Sequence, residues 1–237
     1  MENLKKDDDL LVEESGTLDA KMERRSFLRY AGVGAAGVGM LAVAACKKHS
    51  DDSVTATAAI DVGGGDIGVL NYAYALEQLE AAFYIKVVAS PYTGMTAAET
   101  QAFTDIRDHE ILHREFLKAA LGTSAIPSLG VNFSSIDFTS KAAVLAAAKG
   151  FEDTGVSAYN GVAYIMTNPA YLTLAGKIVS VEARHAAFIR DMISYGSFAD
   201  TTVVDSTNAL DLTRKPSQVL PIVAVYLTTS ISANLLP

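Results

Sequence analysis

Two copies of a Glu-x-x-His motif stand out in the sequence, one from Glu110 to His113 and one from Glu182 to His185. Residues three apart lie on the same face of a helix, about one turn from each other. Apolar residues at helical spacing continue both faces: Ile106 and Leu117 around the first pair, and Ile178 and Ile189 around the second. A carboxylate inside an apolar stripe is expensive to bury unless a cation compensates its charge. The two motifs therefore predict a dimetal site inside a bundle of helices.

An internal repeat supplies the remaining carboxylates. Glu77 precedes Tyr84 by seven residues in the first half, and Glu152 precedes Tyr159 by seven residues in the second half. The two halves are offset by 75 residues at these positions and by 72 residues at the Glu-x-x-His motifs. Each half thus provides one glutamate followed by Glu-x-x-His. This pattern predicts a pseudo-twofold site in which four carboxylates and two imidazoles bind two metals.

Two neighbouring residues are left out of this predicted ligand set. Glu80 is the alternative to Glu77 on the first helix, but its counterpart in the second half is Gly155, so the repeat favours Glu77. His109 directly precedes the first Glu-x-x-His motif, and helical periodicity turns it about 100° away from the ligand face. We expect it on the surface, paired with Asp105 four residues earlier.

Five helical segments must position these side chains. Periodicity and end signals predict helices over residues 66–89, 97–121, 141–167, 169–195 and 216–227. Thr96 and Glu99 form a capping box before the second helix, and Asn168 caps the fourth helix ahead of a proline at its first position. Near the chain end, residues 223–227 could form a strand instead, and residues 228–237 are expected on the surface.

The connections between the helices indicate the topology. Residues 123–139 show no helical period, and they exceed the about 2–8 residues that usually join antiparallel helices in bundles. We therefore expect them to cross over along the bundle. Two hairpins joined by one long crossover are typical of the ferritin-like variant of the four-helix bundle. The predicted fold is all-α, a ferritin-like four-helix bundle over residues 66–196, preceded by a signal and tether and followed by a C-terminal extension over residues 197–237.

The N-terminal residues 1–45 resemble an export signal. Arg24 and Arg25 lie in the stretch RRSFLR, which resembles the twin-arginine motif, and a weakly hydrophobic Gly/Ala/Val stretch follows over residues 31–45. Cys46 follows Val-Ala-Ala, as in a bacterial lipobox, in which the cysteine is acylated after cleavage. The alternative interpretation is an apolar N-terminal helix with a buried free cysteine.

These signals predict a protein of the cell envelope or periplasm that a lipid anchors to a membrane. Residues 46–65 are polar, then rich in Thr and Ala, then rich in Gly, which is typical of a flexible tether. By resemblance to other substrates of the twin-arginine route, the protein would cross the membrane already folded, and many such proteins load a metal or cofactor first. The anchor and tether favour a monomer or a small homo-oligomer over a large iron-storage shell.

Composition argues against several other classes of protein. The chain has 237 residues and a formal net charge of −8 without a basic patch, which argues against nucleic-acid binding. Cys46 is the only cysteine, so the chain has no internal disulfide. No apolar run reaches the roughly 18 residues expected of a membrane-spanning helix. The predicted membrane attachment therefore rests on the lipid anchor alone.

Three stretches resemble a known family: LEQLEAAFY at residues 76–84, FEDTGVSAY at residues 151–159 and VEARH at residues 181–185. They are similar to the exported ferritin-like domain family that includes the desiccation-related proteins, and the resemblance extends over about residues 67–195. It implies a carboxylate-bridged dimetal centre. The ligands that it implies are Glu77, Glu110, His113, Glu152, Glu182 and His185.

Such a ligand set suggests oxidative chemistry. Carboxylates are hard ligands that suit iron and manganese, and imidazole binds either metal. The leading hypothesis is a centre of two iron ions that reacts with a small oxidant, dioxygen or hydrogen peroxide, as a ferroxidase or in peroxide detoxification. Tyr84 and Tyr159 are expected to hydrogen-bond the ligand carboxylates or to carry an electron, and the alternative is that they are core tyrosines.

Two further hypotheses use the same residues. The first is a catalase-like enzyme with two manganese ions, since the ligand types suit manganese as well as iron. The second is a non-enzymatic, lipid-anchored envelope protein with a role in stress or interaction, in which metal only stabilises the bundle.

Overall fold

The structure is a computed structural model that describes residues 59–237. Three predictions lie outside the described residues: the export signal with Arg24 and Arg25, the acylation of Cys46, and the tether up to residue 58. Within residues 59–237, no helix combines the length and the apolar composition needed to cross a membrane.

Four long helices form two hairpins, and a fifth, short helix follows. The helices are α1 (Gly65–Ala89), α2 (Ala97–Leu121), α3 (Lys141–Val162), α4 (Pro169–Ile193) and α5 (Pro216–Ala224). Helix α1 packs along α2, and α3 packs along α4. The predicted ferritin-like four-helix fold is confirmed. The strand alternative for residues 223–227 is wrong, because α5 extends to Ala224 and only Leu227 forms a bridge, with Val131.

The predicted caps of α2 and α4 are present. Thr96 Oγ1 accepts a hydrogen bond from the Glu99 N–H (3.2 Å), and the Glu99 carboxylate accepts one from the Thr96 N–H (2.8 Å). Asn168 Oδ1 accepts the N–H of Ala170 (2.9 Å). Such caps satisfy backbone donors that the first turn of a helix leaves unpaired. Local sequence therefore fixes where these two helices begin.

Helix α3 ends earlier than predicted. It stops at Val162, and the chain continues as a 3₁₀ turn over Ala163–Ile165. The Asp66 carboxylate, at the start of α1, accepts the backbone N–H groups of Thr167 (2.7 Å) and Asn168 (2.9 Å). In addition, a residue that precedes proline is disfavoured in the helical conformation. The Asp66 contact uses the N–H of Thr167 that a continuing helix would need, and the proline keeps Asn168 out of the helical conformation.

The crossover between α2 and α3 runs beside α1. The buried side-chain amide of Asn71 accepts the N–H of Ile126 (3.0 Å), and that of Gln78 accepts the N–H of Leu129 (2.8 Å). Phe133 of the crossover packs against the hydrophobic core. The long connection is thus held by buried polar contacts with α1 and contributes to the core.

Both ends of the described chain belong to the folded domain, which corrects two predictions. The last residues of the predicted tether form strand β1 (Ile60–Asp61), and Val62 behind it is buried. Residues 228–237, expected on the surface, contain strand β2 (Ile231–Ser232) and the buried Leu236. The two strands pair in parallel. Because this pairing joins segments that are remote in sequence, local patterns do not reveal it.

The segment after α4 docks on the bundle through a buried arginine. Arg190 is 2% exposed and donates two hydrogen bonds to the Asp153 carboxylate (2.9 and 2.7 Å) and a third to Asp200 (2.9 Å). Gly161 of α3 allows the backbone to approach closely, because a Cβ at this position would lie 1.9 Å from the carbonyl oxygen of Arg214. The C-terminal extension therefore packs against α3 and α4.

We expect Asp153→Ala to lower the free energy of unfolding by about 3 kcal/mol, the lower end of the range for breaking a buried ion pair, because Asp200 still faces the guanidinium. Urea unfolding of the metal-free protein, followed by circular dichroism, measures this change. The control is Asp108→Ala, which removes an exposed pair with Arg107 and is expected to cost less than about 1 kcal/mol. Equal midpoints for the two variants would show that the Arg190 contact does not stabilise the fold.

Candidate metal centre

Each of the four long helices contributes two polar side chains to one cluster inside the bundle. These side chains are Glu77 and Tyr84 on α1, Glu110 and His113 on α2, Glu152 and Tyr159 on α3, and Glu182 and His185 on α4. All four glutamates are fully buried, and His185 is buried as well. The His113 side chain is 13% exposed. Four carboxylates and two imidazoles thus share one nearly water-free region.

The six predicted ligands fall into two overlapping groups. Within each group, one potential ligand atom from each residue lies within 4.8 Å of those of the other residues. Glu110 and Glu182 belong to both groups. The other members are Glu77 and His113 in the first group, and Glu152 and His185 in the second. This arrangement could hold two metal ions side by side, with the two shared glutamates able to contact both.

The first group is arranged around the Nδ1 atom of His113. This atom lies 2.8 Å from Glu182 Oε1, 3.5 Å from Glu77 Oε2 and 3.8 Å from Glu110 Oε2. The shortest of these distances joins α2 to α4. The imidazole of one Glu-x-x-His motif therefore lies nearest to the carboxylate of the other motif.

The second group repeats the same arrangement with the halves exchanged. His185 Nδ1 lies 2.9 Å from Glu110 Oε1 and 3.6 Å from Glu152 Oε2. The ring centroids of His113 and His185 are 6.5 Å apart. Both imidazoles therefore face the carboxylates, close enough to each other for two neighbouring ions.

Several oxygen atoms of this cluster lack a close hydrogen-bond partner. His113 Nδ1 and His185 Nδ1 lie against Glu182 Oε1 and Glu110 Oε1 at 2.8 and 2.9 Å. Among residues 59–237, the buried oxygen atoms of the two groups that remain without a close partner are Glu77 Oε2, Glu110 Oε2, Glu152 Oε2 and Glu182 Oε2. Each buried polar atom without a partner costs about 1–3 kcal/mol. Cations between these atoms would satisfy all of them. Oxygen and imidazole donors of this kind suit first-row divalent metals, so the residues fit a pair of such ions.

The two tyrosines cross between the halves of the repeat. The Tyr84 hydroxyl donates a hydrogen bond to Glu152 Oε1 (2.5 Å), and the Tyr159 hydroxyl donates one to Glu77 Oε1 (2.5 Å). Each bond occupies one oxygen of its glutamate and leaves the other oxygen, Oε2, facing the cluster. In the sequence, each tyrosine lies two turns from a glutamate of its own helix. In the structure, each tyrosine bonds the glutamate of the opposite helix: Tyr84 of α1 bonds Glu152 of α3, and Tyr159 of α3 bonds Glu77 of α1.

His109 is exposed, as predicted, but its partner is His185 and not Asp105. Its Nδ1 lies 2.9 Å from His185 Nε2, and the two rings stack at an interplanar angle of 9° with centroids 5.1 Å apart. Helices α2 and α4 approach so closely here that a side chain turned away from the ligand face still contacts a predicted ligand. His109 can thus hold the outer nitrogen of His185 while Nδ1 faces the carboxylates. Outer partners of this kind orient imidazole ligands.

Glu80 also lies inside the bundle, although it is outside the two groups. It is 3% exposed, and its Oε2 atom is one of the unpaired buried atoms in the described part of the chain. Sequence patterns offer a choice between Glu77 and Glu80, whereas the structure buries both. Both glutamates lie on an apolar face of α1, and this position was the sequence signal that both side chains point inward.

The cluster has strongly perturbed protonation equilibria. Burial, followed by the charge of Glu110, raises the pKa of Glu77 to about 8. The pKa of Glu182 is raised well above its ordinary value, first by burial and then by the charges of Glu110 and Glu77. Burial lowers the pKa of His113, but the surrounding carboxylates outweigh it and raise this pKa to about 12. The same opposition raises the pKa of His185 to about 10.

The comparison with known families agrees with this fold and site. A family described as "Ferritin-like domain" matches residues 65–195, which is more than half of the chain. The chain therefore belongs to the ferritin-like domain family. The matched region contains the four long helices and all six residues of the two groups. No curated protein sequence matches the chain.

We expect the metal-free protein to lose stability as the pH rises from about 5 to about 8, because the folded state then holds more protons than the unfolded chain. The unfolded chain releases protons near the ordinary pKa values, 4.5 for glutamate and 6.5 for histidine. In the folded protein the raised pKa values of Glu77, Glu182, His113 and His185 delay this release. Each extra proton contributes a slope of about 1.4 kcal/mol per pH unit.

Urea midpoints of chelator-treated protein across this pH range test the expectation. Divalent metal replaces the protons, so the gain in stability on adding Mn(II) should grow with pH. A midpoint that does not fall with pH in the metal-free protein would show that the pKa values of the cluster are not raised.

Proposed function

We propose that the protein binds two iron ions in this centre and uses them to react with dioxygen or hydrogen peroxide, as a ferroxidase or in peroxide detoxification. One observation carries the proposal: two four-residue ligand groups overlap in Glu110 and Glu182. Shared carboxylates place two ions close enough to act on one small molecule. Two bound Fe(II) ions would supply the two electrons needed to reduce dioxygen to hydrogen peroxide or hydrogen peroxide to water, and the ligand residues would hold the resulting Fe(III) ions.

Charge balance supports a pair of divalent ions. The four glutamates of the two groups are fully buried, and burying an uncompensated carboxylate is costly. With both imidazoles neutral, four carboxylates carry the charge that neutralises two divalent cations. Protons fulfil this role in the metal-free protein, which explains why the imidazoles and most of the carboxylates have raised pKa values.

The surrounding residues position the ligands. Tyr84 and Tyr159 each hold one oxygen of a glutamate and direct the other toward the ions. His109 holds the outer nitrogen of His185. The two tyrosines are redox-active and contact ligand glutamates directly, so they are the candidates to pass an electron to the centre.

We expect purified full-length protein to contain two metal ions per chain and to consume dioxygen when Fe(II) is added. His113→Ala and His185→Ala each remove one imidazole from one group, so each should lower the content to about one ion. Elemental analysis and an oxygen electrode measure both quantities. Manganese in the isolated protein, together with rapid peroxide disproportionation, would favour the catalase-like alternative.

The variant His109→Ala serves as a control that distinguishes metal ligands from residues that only position them. His109→Ala retains all six residues of the two groups and is expected to keep two ions with about 10–100-fold weaker affinity, the usual effect of losing an outer partner. Metal-free wild-type protein without oxygen uptake would overturn the proposed function. Bound metal without turnover would instead favour the structural role.

We also propose that a lipid on Cys46 anchors the protein in the cell envelope after export by the twin-arginine route. The order of Arg24, Arg25 and Cys46 along the sequence supports this location. The folded domain begins at Ile60, which leaves a short segment between the anchor and the bundle. With such an anchor, a monomer or a small homo-oligomer is the expected state.

Cys46→Ser should move the protein from the membrane fraction to the soluble fraction, because no other acylation site is available. Western blotting of fractionated cells measures the distribution. Arg24→Lys with Arg25→Lys should instead prevent export. A protein that stays in the membrane fraction after Cys46→Ser would refute the lipid anchor.

A further inference from the structure

A buried acid remains that the six-residue site does not use. Glu80 is 3% exposed, and its Oε2 atom has no hydrogen-bond partner among residues 59–237. Burial of a carboxyl group without a partner is unfavourable, and natural interiors contain few such groups. A residue of this kind calls for a ligand that the polypeptide does not supply.

Gly155 on α3 leaves space for the Glu80 carboxylate of α1. Glu80 lies one turn after Glu77 on α1, and Gly155 lies one turn after Glu152 on α3. A Cβ atom at position 155 would lie 2.9 Å from Glu80 Oε1 and 3.5 Å from Glu80 Oε2. The carboxylate therefore occupies the space that the glycine leaves. A side chain at position 155 would displace it.

The carboxylate also lies within the electrostatic field of the metal centre. Burial is the main reason why the pKa of Glu80 is raised well above its ordinary value, and the charges of Glu182, Glu110, Glu77 and Glu152 follow. All four glutamates of the two ligand groups thus act on Glu80. A cation that binds to them would attract Glu80 in the same way.

We propose that Glu80 is a seventh ligand of the metal centre, held in place by the absence of a side chain at Gly155. The inference rests on the proposed function, because it requires that the centre binds metal. A fifth carboxylate from the first half alone makes the two ion positions unequal. The centre would then bind one ion more tightly than the other.

Titration of the metal-free full-length protein with Mn(II), by calorimetry and by electron paramagnetic resonance, tests the proposal. The wild-type protein should bind two ions with different affinities. Glu80→Gln should weaken one of them at least about tenfold, the lower bound for loss of an outer partner, and leave the other nearly unchanged. Glu115→Gln, which changes an exposed glutamate that pairs with Arg114, should alter neither affinity.

A second variant tests the role of the glycine. Gly155→Ala should weaken the same ion, because the new Cβ displaces the Glu80 carboxylate. The double variant Glu80→Gln with Gly155→Ala should be no weaker than the more impaired single variant, since residues in contact are not additive. Circular dichroism confirms that each variant is folded. If Gly155→Ala does not fold, Glu80→Gln alone decides the question.

The outcomes separate the two proposals. Two ions in the wild-type protein with unchanged affinities in Glu80→Gln would refute the seventh ligand and leave the proposed function intact. A wild-type protein that binds no ion would refute both. Equal affinities for the two ions in the wild-type protein would also overturn the inferred asymmetry.

Discussion

The repulsion among buried glutamates is the constraint on which this structure depends. Four carboxylates of the two ligand groups and that of Glu80 lie inside one bundle, with little water to screen them. Each helix contributes favourable apolar packing, but the helices cannot meet unless something compensates these charges. Protons can do so at low pH, and cations bound between the unpaired oxygen atoms would do so more completely. The proposed metal binding would therefore be coupled to folding in this domain.

The contacts around the centre connect the two hairpins to each other. Each imidazole lies nearest to the carboxylate of the other Glu-x-x-His helix, and each tyrosine bonds the glutamate of the other half. Neither hairpin contains a complete ligand group by itself. The centre therefore forms only when both halves are folded and docked, which explains how a duplicated hairpin can maintain one shared site.

The two halves are no longer equivalent. The first half carries Glu80 and His109, and the corresponding positions of the second half are Gly155 and Val181. Both differences lie next to the centre. The Glu80 carboxylate occupies the space that a side chain at Gly155 would take, and the ring of His109 stacks on that of His185. The approximate symmetry thus defines the six predicted ligands, whereas the departures from it would distinguish the two proposed ion positions.

The sequence alone determined the four helices, the long crossover and the identity of six inward-facing polar residues. These features follow from helix periodicity, from caps such as that of Thr96 and Glu99, and from the internal repeat. All three can be recognised in the sequence without knowing how the helices pack. Tertiary structure decided which side chains meet. The partner of Tyr84, the stacking of His109 and the burial of Glu80 depend on the distance and rotation between helices that are remote in the chain. Interhelical geometry follows from the packing of all side chains together, so no single stretch of sequence encodes it.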